Sequence, residues 1–112
     1  GVVEGPVEPP CARAMIEHTV TFRLKHAPGS PEEQDFLSAA AALATLPGVR
    51  DFAIRRQVSP KWDHTFGITM RFETQQDYEA YNVHPDHAAF VQGRWIPEVA
   101  DFQEADFMPL LP

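Results

Sequence analysis

Cysteine is almost missing from this chain: Cys11 stands alone among 112 residues. A lone thiol excludes an internal disulfide framework and any cysteine-based zinc cluster. Positive charge is also scarce, with nine Lys and Arg against sixteen Asp and Glu and a net charge of −7. That balance argues against nucleic acid or an anionic membrane as partner, because either needs a concentrated basic patch. No apolar run approaches the ~20 residues of a membrane span, and there is no signal-peptide pattern. Glycine-rich phosphate loops, Gly-x-Ser-x-Gly elbows and Cys–His nucleophile pairs are absent as well. What is there, 44% apolar and 22% charged residues, fits one globular domain with a core of its own. The expected setting is cytoplasmic.

Residues 1–14 differ in composition from the rest. Pro6, Pro9 and Pro10 fall there beside two glycines, without sustained periodicity. Such a stretch buries too little apolar area to offset its chain entropy, so it reads as an extended arm before a domain over 15–112. From Ile16 the alternation is regular. Ile16, His18, Val20, Phe22 and Leu24 share one face of a strand, with Glu17, Thr19, Thr21 and Arg23 on the other. Ser30-Pro31-Glu32-Glu33 starts a helix with a capping box, and Phe36, Leu37, Ala40, Leu43 and Ala44 form its apolar stripe before Pro47-Gly48.

A second strand is expected over Val49 to Val58, with Phe52, Ile54 and Val58 on its apolar face. A third is expected from His64 to Phe72, where His64, Phe66, Ile68, Met70 and Phe72 alternate with polar residues. Thr74 caps a second helix carrying Tyr78, Tyr81 and Val83, which breaks at His84-Pro85. The helix restarts at Pro85 and runs through Phe90, Trp95 and Ile96 to about Val99; a last strand covers Phe102 to Met108. The order β-α-β-β-α-β is the ferredoxin-like α+β pattern, an antiparallel sheet with helices on one face. The other face, carrying Thr19, Thr21, Thr65, Thr69 and Arg71, is either hydrated or covered by a second copy of the sheet.

Chemistry concentrates in three places: His18 in the apolar phase of the first strand, Tyr81, and the pair His84 and His87 around Pro85. An imidazole moves protons near neutral pH, and a phenol can hold a carbonyl or enolate oxygen. If the second helix packs on the sheet, these groups meet in a pocket walled by Val20, Phe22, Phe36, Phe66 and Phe90. Each residue also has a plain structural reading. His18 fits a core histidine bonded to backbone, His84 a helix cap, His87 a solvated helix residue, and Tyr81 a buried aromatic. His84-x-x-His87 lacks an identifiable third ligand, so no metal and no cofactor are assigned.

His18-Thr-Val-Thr-Phe-Arg-Leu-Lys25, Leu46-Pro-Gly-Val49 and Tyr81-Asn-Val-His84-Pro-Asp-His87 together resemble the stress-responsive dimeric α/β-barrel (Dabb) family, from about Ile16 to Met108. The resemblance implies a homodimer whose sheets face each other as a barrel with the helices outside. Most members of that family have no established activity. One branch, the plant polyketide cyclase olivetolic acid cyclase, uses a Tyr and a His near this motif, and by position these correspond to Tyr81 and His87, with His18 lining the pocket. The implied chemistry is proton removal α to a carbonyl by His87, with Tyr81 steadying the oxyanion. A further pocket histidine of the cyclase corresponds to Phe66 here. Three functions follow as expectations: binding of a small apolar or carbonyl-containing ligand by His18, Val20, Phe22, Phe66, His84 and Phe90; a cofactor-free cyclase or isomerase using Tyr81 and His87; or a structural, oligomeric role.

Overall fold

The computed structural model describes residues 15–110, so the arm inferred for residues 1–14 lies outside the described residues. Four strands, β1 (Ile16–Leu24), β2 (Arg50–Arg56), β3 (Phe66–Phe72) and β4 (Val99–Phe107), form one antiparallel sheet in the order β2-β3-β1-β4. With α1 (Pro31–Ala41) between β1 and β2 and a helical segment between β3 and β4, this is the ferredoxin-like α+β fold. The alternation of β1 sets the layers: Ile16, His18, Val20, Phe22 and Leu24 are buried under the helices, and the residues between them are half-buried. Phe22 lies at the centre of the core, with ring centroids 5.9 Å from Phe36, 5.7 Å from Phe66 and 5.0 Å from Trp95.

Local chemistry explains the helix ends. Ser30 Oγ accepts from the Glu33 amide at 3.1 Å, and Glu33 in return accepts from the Gly29 amide at 2.9 Å, one residue earlier than a standard capping box. Gly29 supplies the positive φ of 76° that this turn requires. α1 ends at Ala41 and tightens into a 3-10 turn, Ala42–Thr45. The second helical segment is α2 (Gln75–Val83), α3 (Pro85–Phe90), a π-helical turn (Val91–Trp95) and a last short turn, α4 (Ile96–Glu98). Pro97 has no N–H to return to the carbonyl of Gly93, which fits the widened turn just before it.

Four expectations are corrected. β2 is shorter than Val49–Val58 and loses its alternation at a register shift between Arg50 and Ala53, where Asp51 takes φ 52°. It is an edge strand with a bulge, and Val58 beyond it is 81% exposed. Val83 is also exposed, because two helical residues past Tyr81 is a rotation of about 200°. β4 begins at Val99, three residues early. His64 precedes β3 and turns to the open face of the sheet, as its partners show below. No helix of the described residues is long and apolar enough to cross a membrane.

Candidate functional site

A cavity of about 340 Å³ lies between the sheet and the helical segment. Its floor is sheet: His18 and Val20 from β1, Ile68 and Met70 from β3, Phe102 and Glu104 from β4. Its roof is Tyr81 and Asn82 of α2, His87 and Phe90 of α3, and Val91, Trp95 and Ile96, with Leu43 at the side. Ile96 and Phe102 are both about half exposed, so the mouth opens beside the β4 edge. The walls are apolar with a few convergent polar groups, the usual composition of a small-ligand site.

The break between α2 and α3 places the polar groups. His84 is extended; its amide donates to the Tyr81 carbonyl at 3.1 Å and its Nδ1 accepts from the Asp86 amide at 3.1 Å. It closes one helix and caps the next. That turn carries His87 back over Tyr81, with ring centroids 4.4 Å apart. His87 Nδ1 lies 3.1 Å from the Asn82 carbonyl, which can only accept, so Nδ1 carries the proton and Nε2 keeps its lone pair. Burial pushes the His87 pKa below its ordinary value, against a smaller upward pull from the Asn82 carbonyl. His87 is therefore neutral at neutral pH. Tyr81 is 2% exposed, and burial, reinforced by Glu104, raises its pKa and keeps it a donor. Its hydroxyl has no hydrogen-bond partner among the described residues.

His18 is held by one residue of β4 and one of α2. Its Nδ1 lies 2.6 Å from Asp106 Oδ1, and the Tyr78 hydroxyl donates to Asp106 Oδ2 at 2.8 Å while sitting 2.9 Å from the same ring nitrogen. Burial first, and the bond to Asp106 second, raise the Tyr78 pKa, so the phenol stays protonated. Of the residues read from the sequence, His18, Val20, Tyr81, His87 and Phe90 meet in this cavity. Phe22, Phe36 and Phe66 do not line it; they fill the adjoining aromatic core. His84 does not line it either, since its ring is engaged as a cap.

A second histidine cluster occupies the other face. His64 is 2% exposed, with Nδ1 2.8 Å from Thr21 Oγ1 and Nε2 2.9 Å from Asp101 Oδ2, and the Trp62 ring 4.7 Å away. Asp63, His64 and Asp101 bring ligand-type atoms within 4.8 Å of one another. Both His64 nitrogens are already engaged, and the Arg23 guanidinium lies 3.8 Å from Asp63, so the donor set fits a cross-link rather than a cation site.

The profile of the Stress responsive A/B Barrel Domain family matches residues 16–109, nearly the whole described chain. The chain belongs to that family. A Dabb family protein from Mesorhizobium loti with a ferredoxin-like fold is 52% identical, covering 88% of this chain and 99% of its own, with a TM-score of 0.85. A dimeric ferredoxin-like protein of unknown function from Thermobifida fusca superposes with a TM-score of 0.71 at 22% identity, over 88% of this chain and 93% of its own. A stress-response A/B barrel domain-containing protein of Arabidopsis thaliana is 27% identical over 96 residues, 84% of this chain. This chain spans only 36% of the length of that curated relative.

Within this A/B barrel domain, sequence reasoning missed Tyr78, Asn82, Trp95, Phe102, Glu104 and Asp106 as parts of the site. Tyr78 and Trp95 fall in the apolar phase of the helices and could have been found there. Glu104 and Asp106 could not, because their relation to His18 depends on the β1–β4 register, which pairs His18 with Asp106 and Val20 with Glu104.

Proposed function

We propose that this domain is a homodimeric small-molecule protein whose cavity binds a compact, mostly apolar carbonyl compound. The observation that carries the reading is the Tyr81 hydroxyl. It is protonated, has no hydrogen-bond partner among the described residues, and belongs to a ring that lines a mostly apolar cavity. A ligand carbonyl oxygen that accepts from this hydroxyl adds about 1 kcal/mol to binding and fixes the ligand's orientation. The dimeric neighbour and the open Thr-rich face of the sheet support association of two copies through that face.

The neutral His87 ring favours a second, more specific reading, a cofactor-free enolising enzyme. His87 Nε2 takes a proton from the carbon α to the carbonyl; the C–H electron pair becomes the enolate, whose oxygen Tyr81 holds by hydrogen bond. Return of the proton to that carbon, or to another, closes an exchange or isomerisation cycle without any redox partner.

The test is a titration with 4-phenyl-2-butanone, followed by calorimetry and by shifts of the cavity resonances. Binding is expected to weaken about fivefold in Tyr81→Phe, the loss of one hydrogen bond of about 1 kcal/mol. Equal affinity for wild type and Tyr81→Phe contradicts the carbonyl site. No binding of any ketone or β-ketoester in a panel leaves the structural, oligomeric role instead.

A further inference from the structure

The cavity has two polar poles, and the mechanism above uses only one. Tyr81 and His87 belong to the helical roof. His18 belongs to the sheet floor, and its side chain is fixed by two residues outside that mechanism, Asp106 and Tyr78. A carboxylate can only accept hydrogen bonds, so the proton between His18 Nδ1 and Asp106 Oδ1 sits on the ring nitrogen. Tyr78 spends its own proton on the second oxygen of Asp106, at 2.8 Å. That leaves no proton for His18 Nε2 in the neutral ring, and no described side chain bonds that nitrogen.

We infer that Asp106 and Tyr78 are positioning residues that hold His18 as a hydrogen-bond acceptor in the cavity floor, so that the ligand carries a hydroxyl donor in addition to its carbonyl. The inference rests on the carbonyl reading of the roof and deepens it to a substrate class: neutral hydroxy-carbonyl compounds, or enols of β-dicarbonyls, which present both groups. Glu104 adds a second acceptor to the same floor. A ligand carboxylate meets like charge from Glu104 and Asp106 together, which places acids outside the class. Carbonyl at the roof, hydroxyl at the floor and apolar carbon between them match the distribution of the lining.

Removing the clamp has a directional consequence. In Asp106→Ala the Tyr78 hydroxyl loses its carboxylate but stays 2.9 Å from His18 Nδ1. It then donates to that nitrogen, the ring proton moves to Nε2, and the floor changes from acceptor to donor. In Tyr78→Phe the Asp106 carboxylate still accepts a hydrogen bond from Nδ1–H, and the tautomer is retained.

Two measurements on the full chain test this. The first reads the imidazole nitrogens of His18 by ¹⁵N NMR at about pH 8, above the ordinary histidine range. Wild type and Tyr78→Phe should show a protonated Nδ1 and a bare Nε2, and Asp106→Ala the reverse. A wild-type ring protonated on Nε2, alone or together with Nδ1, overturns the inference whatever any ligand does. The second compares 4-phenyl-2-butanone with 4-(4-hydroxyphenyl)-2-butanone, which differ by one hydroxyl. Wild type should bind the hydroxylated ketone roughly tenfold more tightly, and Asp106→Ala should lose that preference. Equal affinities in wild type, with Tyr81→Phe still weakening both, overturn the floor assignment and leave the carbonyl reading intact. Failure of the plain ketone to respond to Tyr81→Phe breaks the carbonyl reading instead.

Discussion

The two faces of the sheet each hold a buried histidine with an aspartate from β4, and the two are satisfied to different degrees. On the open face His64 spends both ring nitrogens, one on Thr21 and one on Asp101. On the helical face His18 spends Nδ1 on Asp106 and leaves Nε2 bare at a cavity. His87 repeats the second pattern, with Nδ1 on the Asn82 carbonyl. A histidine with both nitrogens engaged is a cross-link, because nothing remains for a ligand to use. One with a single nitrogen engaged is oriented and still available, which is what binding or proton transfer needs.

The sharpest way to break this comparison is to delete the rings in turn. His64→Ala empties a fully packed position and removes the hydrogen bonds to Thr21 and Asp101, and unfolding in urea should show a loss of about 2–4 kcal/mol. His87→Ala should change stability by less than about 1 kcal/mol, since site residues are seldom chosen for stability. If the two losses come out equal, the distinction fails.

Function should respond in the opposite order. Deuterium uptake at the α-carbon of 4-phenyl-2-butanone in D₂O should fall by at least roughly 100-fold in His87→Ala, the usual contribution of a general base. It should stay at wild-type level in a His64 variant that remains folded, such as His64→Gln. Uptake no faster with the wild-type protein than in buffer removes the enolising reading and leaves binding alone.

A smaller effect follows from pH. Burial lowers the His87 pKa, so the unfolded chain binds that proton first as the pH falls. The associated stability is fully present above the ordinary value near 6.5 and is lost as the pH drops from there through the folded pKa. The urea midpoint of wild type should therefore decline below about pH 6.5 more steeply than that of His87→Ala. The smallest effect concerns Asp101, whose hydrogen bond from His64 holds its pKa below the usual carboxylate value. By the same linkage its contribution is present at neutral pH and lost in acid, so Asp101→Asn should flatten the acid limb below about pH 4 and change little else. An unchanged acid limb in Asp101→Asn argues that the His64 contact adds nothing to folding.

Much of the fold could be read from the chain because its rules are local. The alternation of β1, the Ser30 cap, the Thr74 cap and the His84-Pro85 break each act within a few residues. The placement of His18, Tyr81 and His87 near one another followed from the phase of a strand and of a helix, together with the family resemblance. What escaped was decided over distance. Asp106 reaches His18 across 88 residues of chain through the β1–β4 register, and His64 leaves its apparent strand phase for partners on β1 and β4. The bulge at Asp51 erased the pattern expected of β2, since an edge strand has only one neighbour to enforce it.

Of the three histidines compared, His18 and His87 each keep one nitrogen free and line the cavity, whereas His64 has both engaged on the other face, so only the first two are proposed to meet a ligand. The most direct measurement follows the ring nitrogens of His18, His64 and His87 by ¹⁵N NMR during a titration with 4-(4-hydroxyphenyl)-2-butanone. Saturable shifts are expected at Nε2 of His18 and of His87, and none at either nitrogen of His64. Shifts at His64 with His18 and His87 unmoved contradict that assignment.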